Sequence, residues 1–119
     1  MQNFKINFYK TADGNCPVKD FLDDLDEKMR AKVLQELCLL ETYGYALREP
    51  YSKSLDDGIF ELRVRQSTNI VRVLYFFVVN RNIILTNGFV KKQKKTPLTE
   101  ILLAKKYRED YLNRKENVQ

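Results

Sequence analysis

Residues 59–89 can scarcely be anything but three consecutive β-strands. Ile59 to Gln66 alternates, with Phe60, Leu62 and Val64 on one side and Glu61, Arg63 and Arg65 on the other. That period of two is the signature of a strand with two distinct faces. Ser67 to Asn69 makes a short turn, Ile70 to Val79 a second strand, Asn80-Arg81-Asn82 a second turn and Ile83 to Phe89 a third strand. Turns this short join only antiparallel neighbours, because a parallel return needs a long crossover. The second strand is apolar on both faces apart from Arg72 and the Tyr75 hydroxyl. This places it in the middle of its sheet. The Asp56-Asp57-Gly58 turn gives the chain a tight entry into the first strand. A meander of this kind must be covered by other elements.

The rest of the chain supplies them. Phe4, Ile6 and Phe8 alternate with Lys5, Asn7 and Tyr9, predicting one more half-buried strand. Asp13-Gly14-Asn15 is a turn, and Pro17 suits a first helical position. Val18, Phe21, Leu22, Leu25, Met29, Val33, Leu34, Leu37 and Leu40 then recur at helical spacing. The spacing predicts a helix, or a close pair broken near Asp26, over residues 17–42, with Gly44 as its C-cap. Residues 45–58 read as a loop. Thr96 is positioned to cap a last helix, with Pro97 at its first position. Ile101, Leu102, Tyr107, Tyr111 and Leu112 give that helix its apolar contacts. The expected architecture is α+β, an antiparallel sheet packed against helices in the order β-α-α-β-β-β-α. With 119 residues, 44% of them hydrophobic, residues 1–119 are expected to form a single domain.

Composition removes whole classes of chemistry. There is no His, so histidine triads and His–zinc sites are excluded. Cys16 and Cys38 match no metal motif and cannot build a disulfide scaffold. No acidic cluster or Gly-rich phosphate loop implies a metal or a nucleotide cofactor, so none is expected. The alternating stretch Met1 to Lys10 does not resemble a signal peptide. The longest apolar run, Val73 to Val79, is far short of the roughly 18 residues of a membrane span. A reducing cytoplasmic setting without membrane contact is the expectation.

Charge is distributed unevenly. Residues 1–59 carry 8 Lys/Arg and 11 Asp/Glu, a net of −3, whereas residues 60–119 carry 13 and 5, a net of +8. A basic second half favours an anionic partner, nucleic acid first. Three groups of residues could serve it. Glu61, Arg63 and Arg65 share one strand face, and paired guanidiniums can hold a phosphate through forked hydrogen bonds. The plainer alternative is a solvated face with a Glu–Arg pair. Arg72 interrupts an apolar strand and needs either a carboxylate, for which Glu61 is placed, or a wet cleft where it binds an anion. Lys91, Lys92, Lys94 and Lys95 precede a helix N-terminus, where cations repel one another unless an anion arrives or water screens them. In a meander all three groups can line one cleft.

Such a cleft offers phosphate binding and charge stabilisation. RNA brings its own nucleophile, the 2′-hydroxyl, so a ribonuclease needs only to position it, deprotonate it and stabilise the leaving oxygen. Glu61, or a lysine whose pKa is lowered by neighbouring cations, could be the base.

Three segments carry a family resemblance. They are Asp57-Gly58-Ile59-Phe60-Glu61-Leu62-Arg63, Val71-Arg72-Val73-Leu74-Tyr75-Phe76-Phe77 and Gly88-Phe89-Val90-Lys91-Lys92-Gln93-Lys94-Lys95-Thr96-Pro97, with Pro17-Val18 and Phe21-Leu22 opening the first helix. In this order they resemble the phage-derived, HigB-like branch of the RelE/ParE toxin superfamily. The resemblance implies a microbial-RNase-like fold. It implies the toxin of a type II toxin–antitoxin system, a metal-independent mRNA endoribonuclease acting on mRNA in the ribosome and leaving a 2′,3′-cyclic phosphate. By position it implies phosphate binding by Arg63 and Arg72, and transition-state or leaving-group stabilisation by Lys91 or Lys92. Arg65, Lys94 and Lys95 would hold the RNA backbone. The chain departs from relatives that have a second lysine at the place of Glu61, a catalytic tyrosine where Thr96-Pro97-Leu98 stands, or catalytic histidines. The implied partner is a helix-turn-helix, HigA-like antitoxin, through which alone operator DNA would be bound. Two other functions fit the same residues: a gyrase-poisoning toxin of the same fold, and a nucleic-acid-binding protein without catalysis.

Overall fold

Pro17 and Asp26 mark where two helices begin. The structure, a computed structural model, describes residues 3–117; Met1 and Gln2, part of the expected leading segment and domain, and residues 118–119 lie outside the described residues. Strand β1 (Lys5–Phe8) leads into α1 (Pro17–Asp23), whose first position is the predicted proline. Helix α2 (Glu27–Tyr43) begins separately because Asp26 caps it, accepting a hydrogen bond from the Met29 N–H at 2.7 Å. The Arg30 guanidinium closes the joint by donating to the carbonyls of Leu22 (3.0 Å) and Leu25 (2.8 Å), near the end of α1. The Leu22 carbonyl also accepts the Leu25 N–H at 3.1 Å, so the guanidinium adds a second bond at a helix end. Gly44 ends α2 at φ 46°, and a Cβ there would lie 2.1 Å from the Phe4 ring. A short 3-10 turn, Gly44–Ala46, follows.

Four strands come next: β2 (Ser52–Asp56), β3 (Ile59–Gln66), β4 (Asn69–Val78) and β5 (Asn82–Val90), then helix α3 (Leu98–Asn117). The sheet order is β1-β5-β4-β3-β2, so β4 is central, as its two apolar faces predict. The meander of β3, β4 and β5 is antiparallel. Two details differ from the sequence expectation. β1 joins β5 in parallel, so the sheet is mixed. The segment read as loop contains β2, which pairs antiparallel with β3 through a two-residue turn at Asp57 (φ 50°) and Gly58 (φ 79°). Positive φ at both turn positions is the twist-matched hairpin geometry that Asp-Gly favours. Ser-Lys-Ser-Leu-Asp has no apolar alternation, because β2 is an edge strand with largely exposed residues.

The two sheet faces have different covers. Leu62, Val64, Val71, Val73, Tyr75, Ile83 and Leu85 pack against Val18 and Leu22 of α1 and Met29, Val33, Leu37 and Leu40 of α2. Each such fully buried aliphatic side chain contributes about 1.5–3 kcal/mol. On the other face Ile59, Leu74, Phe76 and Ile84 meet Ala104, Tyr107 and Tyr111 of α3. Helix α3 covers only part of that face. At Arg72 the segment before α3 lies over the sheet instead, through Thr96 and the Lys94 carbonyl. No helix among the described residues is long and apolar enough to cross a membrane.

Candidate functional site

Register brings the site together. Arg63 of β3 stands directly opposite Arg72 of β4, and Arg72 opposite Phe89 of β5. Two guanidiniums facing each other repel, and Glu61, two residues before Arg63, separates them. Its Oε1 accepts from Arg72 Nη1 at 3.0 Å, and its Oε2 from Arg63 Nε at 2.9 Å. Glu61 is 0% and Arg72 2% exposed, so the pair is buried inside the protein. Of the two readings of Arg72, the ion pair with Glu61 is the one present, and the Glu61 side of β3 is not the solvated face that the alternation alone allows.

The third partner is Thr96. Its hydroxyl accepts from Arg72 Nη1 at 2.6 Å and donates to Glu61 Oε1. Arg72 Nη2 also donates to the Lys94 carbonyl at 3.1 Å. The expected capping role of Thr96 is thereby replaced. Helix α3 starts at Leu98, and the Pro97 carbonyl receives the first helical N–H groups, those of Glu100 and Ile101. A buried ion pair attracts a hydroxyl more strongly than helix amides that water can reach, since hydrogen bonds to charged groups are the stronger class. Arg72 thus ties the basic segment 91–96 to the sheet. Its Nε–H is buried without a partner.

Around this core opens a cleft of about 450 Å³. Lys32, Arg63, Arg65, Arg72, Lys91 and Lys94 line it against one carboxylate, Glu36. Arg63 reaches it half-exposed, with Nη1 bonded to Glu49 Oε1 at 3.2 Å. Lys91 is fixed by its backbone, whose N–H donates to the Ile70 carbonyl at 2.9 Å. Burial, and after it the Arg72, Arg63 and Arg65 guanidiniums, hold the Lys91 ammonium below the usual lysine value, with Glu61 acting in the opposite sense. Arg65, Lys91 and Lys94 make no ion pair among the described residues. Their positive charge is available to a ligand.

Of the sequence candidates, the cleft thus gathers Arg63, Arg65, Arg72, Lys91 and Lys94. Glu61 and Lys95 line a smaller adjoining hollow of about 220 Å³ together with Arg63, Arg72 and Lys94. Lys92 lines neither. Four residues escaped the sequence reading: Lys32, Glu36, Glu49 and Tyr51. Glu36 did leave a signal, an acid on the buried stripe of α2 between Val33 and Leu40. It is 6% exposed, with Oε1 at 3.8 Å from Lys32 Nζ and Oε2 unpartnered. Among the described residues no group of three His, Cys, Asp or Glu could hold a metal ion.

A mixed five-stranded sheet with helices on both faces and a cationic cleft at one end defines a basic α+β protein. Residues 20–109 match the family described as phage derived protein Gp49-like (DUF891). The chain belongs to this family, one of RelE/ParE-like toxins. No curated protein matches it significantly.

Proposed function

We propose that the protein is the toxin of a type II toxin–antitoxin system and an endoribonuclease that cleaves mRNA on the ribosome. The observation that carries this reading is the cleft itself, where Arg63, Arg65, Lys91 and Lys94 converge around a buried Arg72–Glu61 pair. Clustered cations with so little neutralisation are stable only when solvated or when an anion is bound, and RNA supplies a chain of anions.

In this mechanism Arg63 holds the scissile phosphate, while Arg72, buried and bonded to Glu61, Thr96 and the Lys94 carbonyl, adds positive charge from beneath and holds the basic segment in place. The 2′-hydroxyl oxygen attacks phosphorus as its proton passes to solvent water, the bond to the 5′-oxygen breaks, and a 2′,3′-cyclic phosphate and a 5′-hydroxyl result. Lys91, whose ammonium gives up its proton more readily than an ordinary lysine, protonates the leaving oxygen. Lys92 lies outside the cleft and adds only long-range positive charge from the same segment. Glu61 is enclosed by Arg63, Arg72 and Thr96, which suits orienting both guanidiniums rather than taking a proton. Arg65, Lys94 and Lys95 hold the flanking backbone. The reaction needs no cofactor. A helix-turn-helix antitoxin with acidic residues facing the cleft would silence it in the cytoplasm.

The test is inducible expression in bacteria of wild type, Arg63→Gln and Lys91→Ala, with primer extension on translated and untranslated copies of one message. Growth arrest with breaks confined to the translated copy, and lost in both folded variants, is the expected result. Breaks in both copies would remove the ribosome from the reading. Arrest without breaks would overturn the nuclease and turn attention to a protein target such as gyrase.

A further inference from the structure

Five of the seven tyrosines are engaged by other aromatic rings. Tyr9 stacks on Tyr107, Tyr45 contacts Phe4 and Phe77, Tyr75 stacks on Phe60, and Tyr111 meets Phe76. Tyr43 and Tyr51 are not, among the described residues. They are 52% and 43% exposed. Both line one groove of about 360 Å³, beside Leu39, Leu47 and Glu49. Tyr51 also forms part of the wall of the cationic cleft, next to Pro50 and Arg63. The two depressions therefore share a wall, cationic on one side and aromatic on the other.

The backbone holds this wall in place. The Tyr51 N–H donates to the Arg48 carbonyl at 3.0 Å, and its own carbonyl accepts the Arg63 N–H at 2.8 Å. The second bond continues the β2–β3 ladder by one residue, so the ring of Tyr51 is registered to the guanidinium of Arg63. The Arg48 guanidinium, which also lines the groove, is tied to the Tyr45 and Leu47 carbonyls.

We infer that Tyr51 and Tyr43 form a nucleobase-stacking site for the single-stranded RNA held by the cleft. The inference rests on the RNA-binding reading above and adds where the bases are held. A polyanion that also presents flat apolar faces is a nucleic acid. In a duplex those faces are stacked on one another and shielded from a side chain, whereas a single strand can turn them outward onto tyrosine. With a phosphate against Arg63 and Arg65, the attached base lies over Tyr51 and its neighbour points along the groove toward Tyr43.

The experiment uses fluorescein-labelled, 2′-O-methylated hexauridylate, which cannot be cleaved, an abasic version with the same phosphates, and a duplex of the same length. Binding is read by anisotropy for wild type, Tyr51→Leu, Tyr51→Phe and Tyr43→Leu, each checked for folding by circular dichroism. Stacking predicts that Tyr51→Leu weakens the base-bearing strand about 5- to 100-fold while Tyr51→Phe stays within about twofold. Abasic strand and duplex should be insensitive to both. A measurement on the unaltered protein avoids variants altogether: 5-bromouridine in the strand should photocrosslink to Tyr51 or Tyr43. Equal binding of base-bearing and abasic strands by wild type, or equal losses for both in Tyr51→Leu, would overturn the stacking site and leave the anion cleft standing. Failure of wild type to bind any of the three would instead overturn the RNA-binding reading beneath it.

Discussion

Replacing Glu61 with glutamine tests whether one buried carboxylate holds the site together. Glutamine keeps the size and one acceptor oxygen but removes the charge. Arg63 retains Glu49, whereas Arg72, 2% exposed, is left with neutral partners only. Removing one member of a buried ion pair costs about 3–5 kcal/mol, because the remaining charge has lost both water and counter-charge. For 119 residues at about 2.1 cal/mol/K each, the unfolding entropy is roughly 250 cal/mol/K, so each kcal/mol moves Tm by about 4 °C. Glu61→Gln should therefore melt about 12–20 °C below wild type. Glu49→Gln is the control. It breaks a pair whose carboxylate is 65% exposed, and such pairs are worth about 0–1 kcal/mol. Thermal melts followed by circular dichroism, with urea titrations alongside, compare the two. Glu61→Leu combined with Arg72→Met should recover much of the loss of Glu61→Leu alone, since an apolar pair carries no desolvation penalty. A Glu61→Gln melt within about 4 °C of wild type, and no lower than that of Glu49→Gln, would refute the assignment of Glu61 as the organising charge.

Lys91 should take up a proton when the cleft binds an uncleavable oligonucleotide. Its ammonium is held low by burial and by Arg72, Arg63 and Arg65, a bound phosphate restores the charged form, and uptake appears between the depressed value and the ordinary 10.5. Calorimetry in two buffers of different ionisation enthalpy reads it, and buffer-independent heats would count against the arrangement. Tyr9 and Tyr75 should ionise late, since both phenols are pushed up to about 12, chiefly by burial. Raised folded-state values mean that their contribution to stability is complete below pH 10 and declines as pH rises toward about 12. Phenolate absorbance during an alkaline titration should show a late component at about 12 from these two; absence of that component would refute it. Lys94→Ala and Lys95→Ala should each lower the slope of log K against log salt by about 1 if each contacts one phosphate. An unchanged slope would place them outside the interface.

Much of the fold was legible because strands, turns and helix starts are local chemistry. The alternation of Phe60, Leu62 and Val64 placed β3, Asp57-Gly58 its turn, Pro17 the start of α1 and Asp26 the break before α2. The partners of Arg72 were half legible. A charge inside an apolar strand demands a counter-charge, and meander register offered Glu61. Strand β2 escaped because an edge strand with exposed side chains needs no apolar period, and it is held by its hairpin with β3. Thr96 was read as a cap because capping is a local rule, yet Glu61, 35 residues away, took its hydroxyl. The same holds for Tyr51, Lys32 and Glu36, which reach the cleft from a loop and from α2. Residue spacing alone determined that the chain makes a basic meander flanked by helices. Only the tertiary structure decided which of its charges are buried, which remain available and which aromatic rings stay unpaired, because those depend on what the folded chain lays over each face.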